Sequence, residues 1–577
     1  MKPAVIALVA IFLLLYIVPL GVRPLVMPDE TRYSEIPREM LETEEWIVPR
    51  LNGLRYFEKP VFGYWLNAVA ISLFGENAFS VRLPSALAAG ISALLIFFMV
   101  RKFEGEDSAE LLTAAAFLTC FEVFGVGIFC VLDSVFSMFV TASFVFFFFA
   151  WRESASLHKQ NAFLALAGIC CGLAFLTKGF IAFVLPVAVI VPFLLWERRW
   201  KELLRIWWVP LAVAVLVVLP WCLAIHWRER DFWRYFFWHE HVQRFLNPDE
   251  HGQHPEPFWY FIPVIFGGAL PWSTWLPNAF SGLKNIQFKD PFIRFTVCWL
   301  LFPFLLFSSS GGKLTTYILP CFPPLTILVI MGFLRWYVLP GKEKAFTVNL
   351  YISAIIMVIV ALAMVFAQTS SFASLKIYHS EESWKWMLLV IALLSYVMFL
   401  VLAGRQNVMS RRLIYCFLAP LMVMFCVHFV MPDYFKAGRM PGDFLLQNSD
   451  KIHPDSILVS DTYLAPAVCW LYKRDNVYLL GKADEFAYGL SYDGAEHRLF
   501  TIEKFIDFVK QNSKHNQVVL ITTEKRYDAY REMLPSPKNE VMYCGFVMAE
   551  FAPLIVQKTL AGGPYKEAIC VSRQQIP

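Results

Sequence analysis

Three side chains capable of acid–base and anion-binding chemistry follow shortly after the first apolar run of the sequence. Asp29, Arg32 and Tyr33 are spaced at i, i+3 and i+4, so they share one face if the segment is helical. A carboxylate can position or deprotonate a reactant, a guanidinium binds anions, and a phenol donates or accepts a hydrogen bond. Asp29 could instead simply cap the following helix. Apolar spacing through residues 30–43 predicts an amphipathic helix lying on a membrane surface.

A second polar group lies later in the same loop, where Tyr56, Glu58 and Lys59 precede Pro60. Proline biases its predecessor towards extended backbone and favours the first turn of a helix, so a helix is predicted over 61–74. This helix is strongly apolar and is either a second interfacial helix or a partial span. A lysine at such a position can supply a point charge for a phosphate. On its own, it is more often a lysine that extends to the membrane interface.

The segment 227–257 contains two histidines, His239 and His241, and an arginine, Arg244. His241 and Arg244 are about one helical turn apart, so both can face the same site. The two histidines are spaced at i, i+2, which is not the i, i+4 spacing of a helical zinc pair. Glu58 and one of these histidines would form a partial metal site if the fold brings them together, which spacing alone does not show.

Further polar positions are isolated between apolar runs. Asp133 and Lys178 each lie where an apolar run ends or begins, and the turn 308–313 precedes Tyr317. Each is most simply explained as a helix cap or a polar hairpin. These three positions and the three groups described above make six polar clusters. If all six lie on one face of the membrane, a functional site is favoured over six unrelated polar turns.

These clusters interrupt a chain with the composition of a membrane protein. Of its 577 residues 58% are hydrophobic and 17% aromatic, the mean hydropathy is +0.53, and the formal net charge of +4 does not suggest a nucleic-acid partner. A span needs about 20 apolar residues to cross roughly 30 Å of hydrocarbon. The first run has no small-residue cleavage site after it, so we expect a retained span rather than a signal peptide. The predicted spans are 3–20, 81–100, 109–128, 134–151, 161–177, 180–196, 206–226, 258–276, 292–308, 315–334, 346–367, 385–403 and 413–432.

The distribution of lysine and arginine predicts how these thirteen spans are oriented. Alternate short loops are rich in both residues, which is typical of cytoplasmic loops. The opposite set includes the loops 21–80 and 227–257 and the turns at Asp133, Lys178 and 308–313. We therefore expect all six polar clusters, and the C-terminal region, on one extracytoplasmic face.

The composition changes to a soluble pattern near Asp433, which divides the chain into a membrane domain, 1–432, and a C-terminal domain, 433–577. Apolar runs at 456–460 and 517–522 predict buried strands, and apolar spacing at 500–511 and 526–534 predicts helices. Strands alternating with helices indicate a small α/β domain. It contains no glycine-rich phosphate loop or metal motif, so a lid or scaffold is expected.

The polar clusters resemble those of the bacterial lipid A aminoarabinose transferases, within the protein mannosyltransferase-like GT-C glycosyltransferases. The matching motifs run in order through the membrane region: DETRY at 29–33, YFEKPVFGYW at 56–65, FG and VRLP within 74–84, LD at 132–133, TKG at 177–179, EHVQRF at 240–245, FWY at 258–260 and KLTTYILP at 313–320. The resemblance implies a polytopic α-helical membrane protein with about thirteen transmembrane helices, extracytoplasmic interfacial helices and a C-terminal soluble α/β domain.

The resemblance also implies an activity. Such enzymes move a sugar from a polyprenyl phosphate to an acceptor; here the donor would be undecaprenyl phosphate-4-amino-4-deoxy-L-arabinose and the acceptor a lipid A phosphate. No nucleotide is needed. The location would be the bacterial inner membrane, with the site and C-terminal domain in the periplasm, and the outcome resistance to polymyxin and other cationic antimicrobial peptides. A monomer is expected.

Residue roles follow from the resemblance by motif position. Asp29 would be the catalytic carboxylate, and Asp133 would lie in the sugar and acceptor region. Side chains that bind the donor phosphate would be Lys59, Arg244 and Tyr317, and those around the donor headgroup Arg32, Tyr33 and Tyr56. A divalent metal such as Zn²⁺, structural or substrate-positioning, would be bound by Glu58 and by His241 or His239.

Two alternatives stay open from the residues alone. A related transferase that moves another sugar, or uses a protein acceptor, would carry the same clusters, because pocket shape selects the sugar. A lipid transporter is the alternative from another class. Charges within the spans are scarce, however, and no paired broken helices divide the chain into symmetric halves.

Overall fold

The computed structural model describes residues 2–103, 108–153, 155–243, 255–284, 290–370, 376–513 and 515–551, with side chains from residue 5 onward except at 239–243. Within these ranges nine helices are long and apolar enough to cross a membrane. They are Ala78–Phe103, Leu132–Arg152, Leu157–Lys178, Trp200–Arg228, Pro291–Ser309, Thr315–Tyr337, Lys342–Thr369, Ser380–Arg405 and Met409–Val427.

The other four predicted spans also contain apolar helices, but these are bent or short. Ala109–Leu118 and Phe121–Gly127 meet at an angle of 61°. The shorter helices at the remaining predicted spans are Val5–Ile17, Ile181–Trp196 and Phe258–Gly268, the last followed by Trp272–Trp275 and Leu276–Lys284. The helical membrane architecture is thus confirmed, and the count of thirteen crossings stays a prediction.

Aromatic and small side chains pack the membrane helices against each other. Phe148 and Phe295 stack with their ring centroids 4.8 Å apart, and Phe193 lies edge-on to Phe295 at 5.1 Å. At another crossing, a Cβ added to Gly282 would lie 2.0 Å from the carbonyl oxygen of Gly332. Such small-residue contacts are needed because helices in lipid associate by close packing rather than by excluding water.

The loop 21–80 forms three ordered elements. Asp29–Thr43 is a helix, here called the interfacial helix; strands β1 (Arg50–Leu51) and β2 (Leu54–Arg55) pair antiparallel; and Phe62–Phe74 is the second predicted helix. The predicted helix over 30–43 is confirmed, and its position on the membrane surface stays a prediction, but its polar side is not exposed to water. Its residues Glu35, Arg38 and Glu39 are buried, because the C-terminal domain packs on that side.

The C-terminal domain is built on a six-stranded sheet in the order β5-β4-β3-β6-β8-β7. The strands are β3 (Ile457–Asp461), β4 (Tyr478–Leu480), β5 (Leu499–Phe500), β6 (Val518–Thr523), β7 (Asn539–Tyr543) and β8 (Phe546–Phe551). Strands β5, β4, β3 and β6 are parallel to one another, whereas β8 runs antiparallel to both of its neighbours, β6 and β7. Helices of four or more residues in this region are Asp433–Lys436, Gly442–Gln447, Ala465–Tyr472, Ala487–Leu490, Ile502–Asn512 and Glu524–Tyr530. The α/β prediction is confirmed.

The C-terminal domain is held to the β1–β2 hairpin by a buried asparagine. Asn52 donates to the carbonyl of Val477 at 2.7 Å and accepts from the backbone N–H of Val477 at 2.9 Å. Arg498 donates to the Asn52 carbonyl at 2.8 Å. Asn52 and Gly53 have φ of 57° and 71°, the left-handed backbone typical of a two-residue hairpin turn. The hairpin therefore fixes where the domain sits relative to the interfacial helix.

Candidate active site at the interfacial helix

A buried ion cluster fixes the start of the interfacial helix. Glu30 is fully buried and binds Arg82 through Oε1 and Oε2 at 2.6 and 2.7 Å, and Arg23 at 2.8 Å. It also accepts from the backbone N–H of Cys130 at 3.0 Å. Burial alone would raise the pKa of Glu30, but Arg23 and Arg82 lower it to about 2. The cluster thereby connects the loop to the membrane helix Ala78–Phe103 and to the turn before Leu132–Arg152, and it holds the preceding residue, Asp29, in place.

Asp29 itself is 40% exposed and forms an ion pair with Arg32 on the same face of the helix. The Arg32 guanidinium lies 5.2 Å from the Tyr33 ring centroid and donates to the Tyr56 hydroxyl at 3.2 Å. It makes a second ion pair with Glu485 of the C-terminal domain. Arg32 is thus shared between two carboxylates and is almost fully enclosed, whereas Asp29 keeps an open side.

Tyr56 connects this pair to the second polar group of the loop. Its hydroxyl donates to the Glu58 carboxylate at 2.9 Å, and the Lys59 ammonium donates to the Glu58 carbonyl at 2.9 Å. Glu58 and Lys59 are both half-buried. The structure therefore brings together, over one short stretch of surface, the acid, the base and the phenol that the loop sequence supplies.

Asp133 and Lys178 form an ion pair that spans two membrane helices. The Lys178 ammonium also lies 4.5 Å from the centroid of the Tyr317 ring. This second cluster is connected to the first through Asn67, which donates to the carbonyl of Tyr33 at 3.0 Å and to the Cys130 thiol at 3.4 Å, three residues before Asp133. An acid and a base at the ends of two membrane helices thus meet a phenol from the start of Thr315–Tyr337.

The histidine segment approaches the same region from another side. Its helix, Arg234–Gln243, places the Tyr235 ring 4.0 Å from the ring of Tyr488, three residues after Glu485. The backbone of His239 and His241 follows this contact, but their side chains, like the whole of Arg244, lie outside the described residues. Their predicted roles stay predictions.

The metal prediction rests on the same segment. Within the described ranges no group of three or more His, Cys, Asp or Glu side chains could hold a metal ion. Glu58 supplies one carboxylate, which suits Zn²⁺ beside histidine nitrogen, and it accepts a hydrogen bond from Tyr56. Glu58 alone is not a complete ligand set, so the metal also stays a prediction.

Glu485 is the site residue that the sequence interpretation missed. It is buried beside Arg32, and burial together with the neighbouring Glu58 raises its pKa to about 7 against the opposing effect of Arg32. No local pattern in the C-terminal domain distinguishes it from other glutamates.

The arrangement suits transfer chemistry at an anionic headgroup. An open carboxylate at Asp29 can orient a reactant or stabilise a developing positive charge, and Lys59 and Lys178 supply cations in two further clusters. The phenols of Tyr33 and Tyr56 are buried beside Arg32, and the Tyr317 ring lies against Lys178.

Comparison with family models gives two matches. Residues 3–236 match the family described as dolichyl-phosphate-mannose-protein mannosyltransferase. Residues 437–549 match the family described as arabinosyl transferase ArnT, C-terminal domain. The first match covers both helices of the loop 21–80, and the second covers Glu485.

Curated relatives align over nearly the whole chain. A protein of Shewanella sediminis, named undecaprenyl phosphate-alpha-4-amino-4-deoxy-L-arabinose arabinosyl transferase, is 38% identical over 92% of this chain and 94% of its own length. A protein of the same name from Aeromonas salmonicida is 37% identical over 93% of this chain and 97% of its own.

Among solved structures, ArnT from Cupriavidus metallidurans bound to undecaprenyl phosphate superposes with a TM-score of 0.79 and 24% identity. The match covers 97% of this chain and 99% of that chain. At this identity the likeness establishes the fold, and it confirms the predicted combination of a GT-C membrane domain with a C-terminal α/β domain.

Proposed function

The chain belongs to the family of undecaprenyl phosphate-4-amino-4-deoxy-L-arabinose arabinosyl transferases, and we propose that it transfers this aminosugar from undecaprenyl phosphate to a phosphate group of lipid A. It is a multi-pass membrane glycosyltransferase that uses a lipid-linked donor. The observation that carries the acceptor assignment is the open carboxylate of Asp29 among flanking cations and phenols, which fits a reaction between two phosphorylated lipids.

The proposed reaction is a single displacement. An oxygen of the acceptor phosphate attacks the anomeric carbon, the bond from that carbon to the donor phosphate oxygen breaks, and undecaprenyl phosphate leaves with the electron pair. The acceptor is already ionised, so Asp29 need not remove a proton; it orients the acceptor or stabilises an oxocarbenium-like state. Lys59 and Arg244 would stabilise the leaving phosphate where water is scarce. Inversion at the anomeric carbon follows, and a product that retains the donor configuration would contradict this step.

The remaining roles are proposed on the same basis. Tyr317 lies beside Lys178 and would add a hydroxyl to the donor phosphate site, whereas Asp133 would face the sugar. A Zn²⁺ ion bound by Glu58 and His241 or His239 would help to position the donor. Metal analysis of the purified protein tests this: zinc at a stoichiometry near one in the wild type should be lost on Glu58→Ala.

We further propose that the protein is a monomer in a bacterial inner membrane with the site facing the periplasm. The support is the concentration of lysine and arginine in the alternate loops, opposite to the loop that carries Asp29. A reporter enzyme that folds only in the periplasm, fused after residue 577, should be active. If a reporter that works only in the cytoplasm is active at that position instead, the orientation is the opposite of the one proposed.

Lipid A analysis tests the function directly. Expressed in a bacterium that lacks its own aminoarabinose transferase, the wild type should add a pentosamine to lipid A, seen by mass spectrometry, and raise polymyxin resistance. Asp29→Asn should reduce the modification roughly 100-fold or more, because one well-placed charged group contributes about that much. Glu42→Gln is the matched control, since Glu42 is a 58% exposed carboxylate on the same helix.

The outcomes separate the alternatives. A different mass added to lipid A, or to a protein, would assign another sugar or acceptor. Movement of a labelled lipid across the membrane without any glycosyl transfer would favour a transporter. Unmodified lipid A with correctly inserted protein would contradict the proposal.

A further inference from the structure

The sheet of the C-terminal domain has a crevice at the carboxyl ends of β3 and β6. The chain passes from β3 to β4 and β5 on one side and then returns to β6 on the other, and all four strands are parallel. In an open α/β sheet, the point where successive connections leave in opposite directions is where ligands bind. The crevice between β3 and β6 occupies that position.

A cavity of about 450 Å³ lies at this crevice, lined by Tyr463, Thr523, Lys525, Arg526, Ala529 and Tyr530. Asp461, the last residue of β3, is buried next to this cavity, where it pairs with Arg526 at 2.8 Å and accepts from the Thr522 hydroxyl at 2.8 Å. Lys525 is exposed and has no ion pair within the described ranges. The cavity therefore carries uncompensated positive charge between two tyrosines.

Two chains of contacts connect this cavity with the membrane site. Thr462, next to Tyr463, donates to the Asp484 carboxylate at 2.8 Å, and Asp484 precedes the Glu485 that pairs with Arg32. The second contact is made by Met27, which lies two residues before Asp29. Its backbone N–H donates to the carbonyl of Arg439 at 2.8 Å.

Backbone contacts also place Arg439 near the crevice. Gly438 donates its N–H to the carbonyl of Cys544 at 2.9 Å, and Glu524, next to Lys525, donates its N–H to the carbonyl of Gly545 at 2.9 Å. Arg439, like Lys525, is exposed and has no carboxylate partner in the described parts of the chain. These contacts place Lys525 and Arg439 on the part of the C-terminal domain that contacts Met27 and Arg32.

We propose that this crevice binds a second phosphate of the acceptor, the phosphate at the far end of the lipid A disaccharide, while the first phosphate reacts at Asp29. The inference rests on the proposed function, because it requires an acceptor with two anionic groups. The donor has a single phosphate, so a separate basic cavity belongs to the acceptor. Lys525 and Arg439 bind the phosphate, and Tyr463 provides a flat wall for the sugar.

The test compares two acceptors and three proteins. Purified wild type, the double variant Lys525→Gln/Arg439→Gln and the control Lys504→Gln/Lys510→Gln are assayed with lipid A carrying both phosphates and with lipid A lacking the phosphate that does not react. The control removes two exposed lysines from another helix of the same domain. Wild type and control should prefer the bisphosphorylated acceptor by roughly tenfold or more in kcat/KM, and the double variant should show a ratio near one.

An unchanged preference in the double variant would overturn the inference. So would an equal loss of kcat/KM for both acceptors, because that result would assign the basic residues to the bilayer surface rather than to the second phosphate.

Equilibrium binding separates this result from failure of the proposed function. If wild type transfers no sugar, the proposed function fails, and the binding of both lipid A forms to the purified proteins still decides the inference. Wild type should bind the bisphosphorylated form roughly tenfold more tightly than the monophosphorylated form, and the double variant should not discriminate. Discrimination by the double variant would again overturn it.

Discussion

Arg32 is the residue on which the candidate site is organised. Its guanidinium is 11% exposed and makes ion pairs with both Asp29 and Glu485. A cation enclosed in this way has few donors left for a substrate, so its main contribution is to hold the Asp29 carboxylate in one orientation. In the proposed function, Arg32 and Glu485 are therefore positioning residues, and Asp29 is the catalytic one.

Glu485→Gln is predicted to reduce transfer without unfolding the protein. The change removes one of the two carboxylates that hold Arg32, and the loss of a charge-assisted bond corresponds to roughly a 10- to 100-fold fall in kcat/KM. Glu503→Gln, an exposed glutamate in the same domain, is the control and should be close to wild type. Equal activity of the two variants would show that Glu485 has no positioning role.

The pH profile should report the same residue. The pKa of Glu485 is raised to about 7, so the carboxyl becomes protonated, and its ion pair with Arg32 is lost, as the pH falls through that value. Wild-type transfer is expected to decrease from pH 8 to pH 6, and this decrease should be absent in Glu485→Gln. If transfer by Glu485→Gln decreases from pH 8 to pH 6 as in the wild type, the decrease comes from the titration of another group.

At the scale of elements, the interfacial helix depends on the buried cluster at its start. Glu30→Gln leaves Arg23 and Arg82 without a counter-ion, and breaking a buried pair in this way costs about 3–5 kcal/mol. The thermal unfolding midpoint of the purified protein in detergent should fall clearly. Glu42→Gln, on the exposed side of the same helix, should change it little.

The pH dependence of stability follows from the same carboxylate. Its pKa is lowered from 4.5 to about 2, so its stabilising contribution is complete above pH 4.5 and is lost as the pH falls towards 2. Unfolding measured between pH 5 and pH 2 should therefore show a steeper loss of stability in the wild type than in Glu30→Gln. Parallel curves would mean that Glu30 is not ionised in the folded protein.

Element by element, the sequence was most informative where periodicity is strong. The helix predicted over 30–43 is Asp29–Thr43, and the strands predicted at 456–460 and 517–522 are β3 and β6. The polar side of the interfacial helix was not predictable in the same way. Its buried Glu35 and Glu39 have the composition of a solvated face, and only the docked C-terminal domain accounts for their burial.

At the scale of the whole molecule, the site is assembled from both domains. The ion pair between Arg32 and Glu485 joins residues 453 positions apart, and no local pattern encodes such a pair. By contrast, Asp29, Tyr56 and Glu58 come from one loop, so their spacing was enough to propose a cluster. The C-terminal domain, expected to be a lid or scaffold, thus contributes Glu485 to the candidate site, and its role stays a prediction.

Docking of the two domains is predicted to control activity through Gly53. Gly53 has φ of 71°, and a Cβ there would lie 2.7 Å from the carbonyl oxygen of Asp475 in the C-terminal domain. Gly341 is the matched control, because its φ is 76° and a Cβ there meets open space. Both Gly→Ala variants carry similar left-handed backbone strain, about 1–2 kcal/mol.

Only Gly53→Ala should also separate the domains, since the added methyl group collides with rigid backbone. We expect it to lose most transfer activity and to increase hydrogen exchange in Ala465–Tyr472, the helix that packs against the interfacial helix. Gly341→Ala should keep its transfer activity and the slow hydrogen exchange of Ala465–Tyr472, although its thermal stability should fall by an amount comparable to that of Gly53→Ala. Equal exchange in the two variants would mean that the hairpin does not hold the domain, and that Glu485 reaches Arg32 by other contacts.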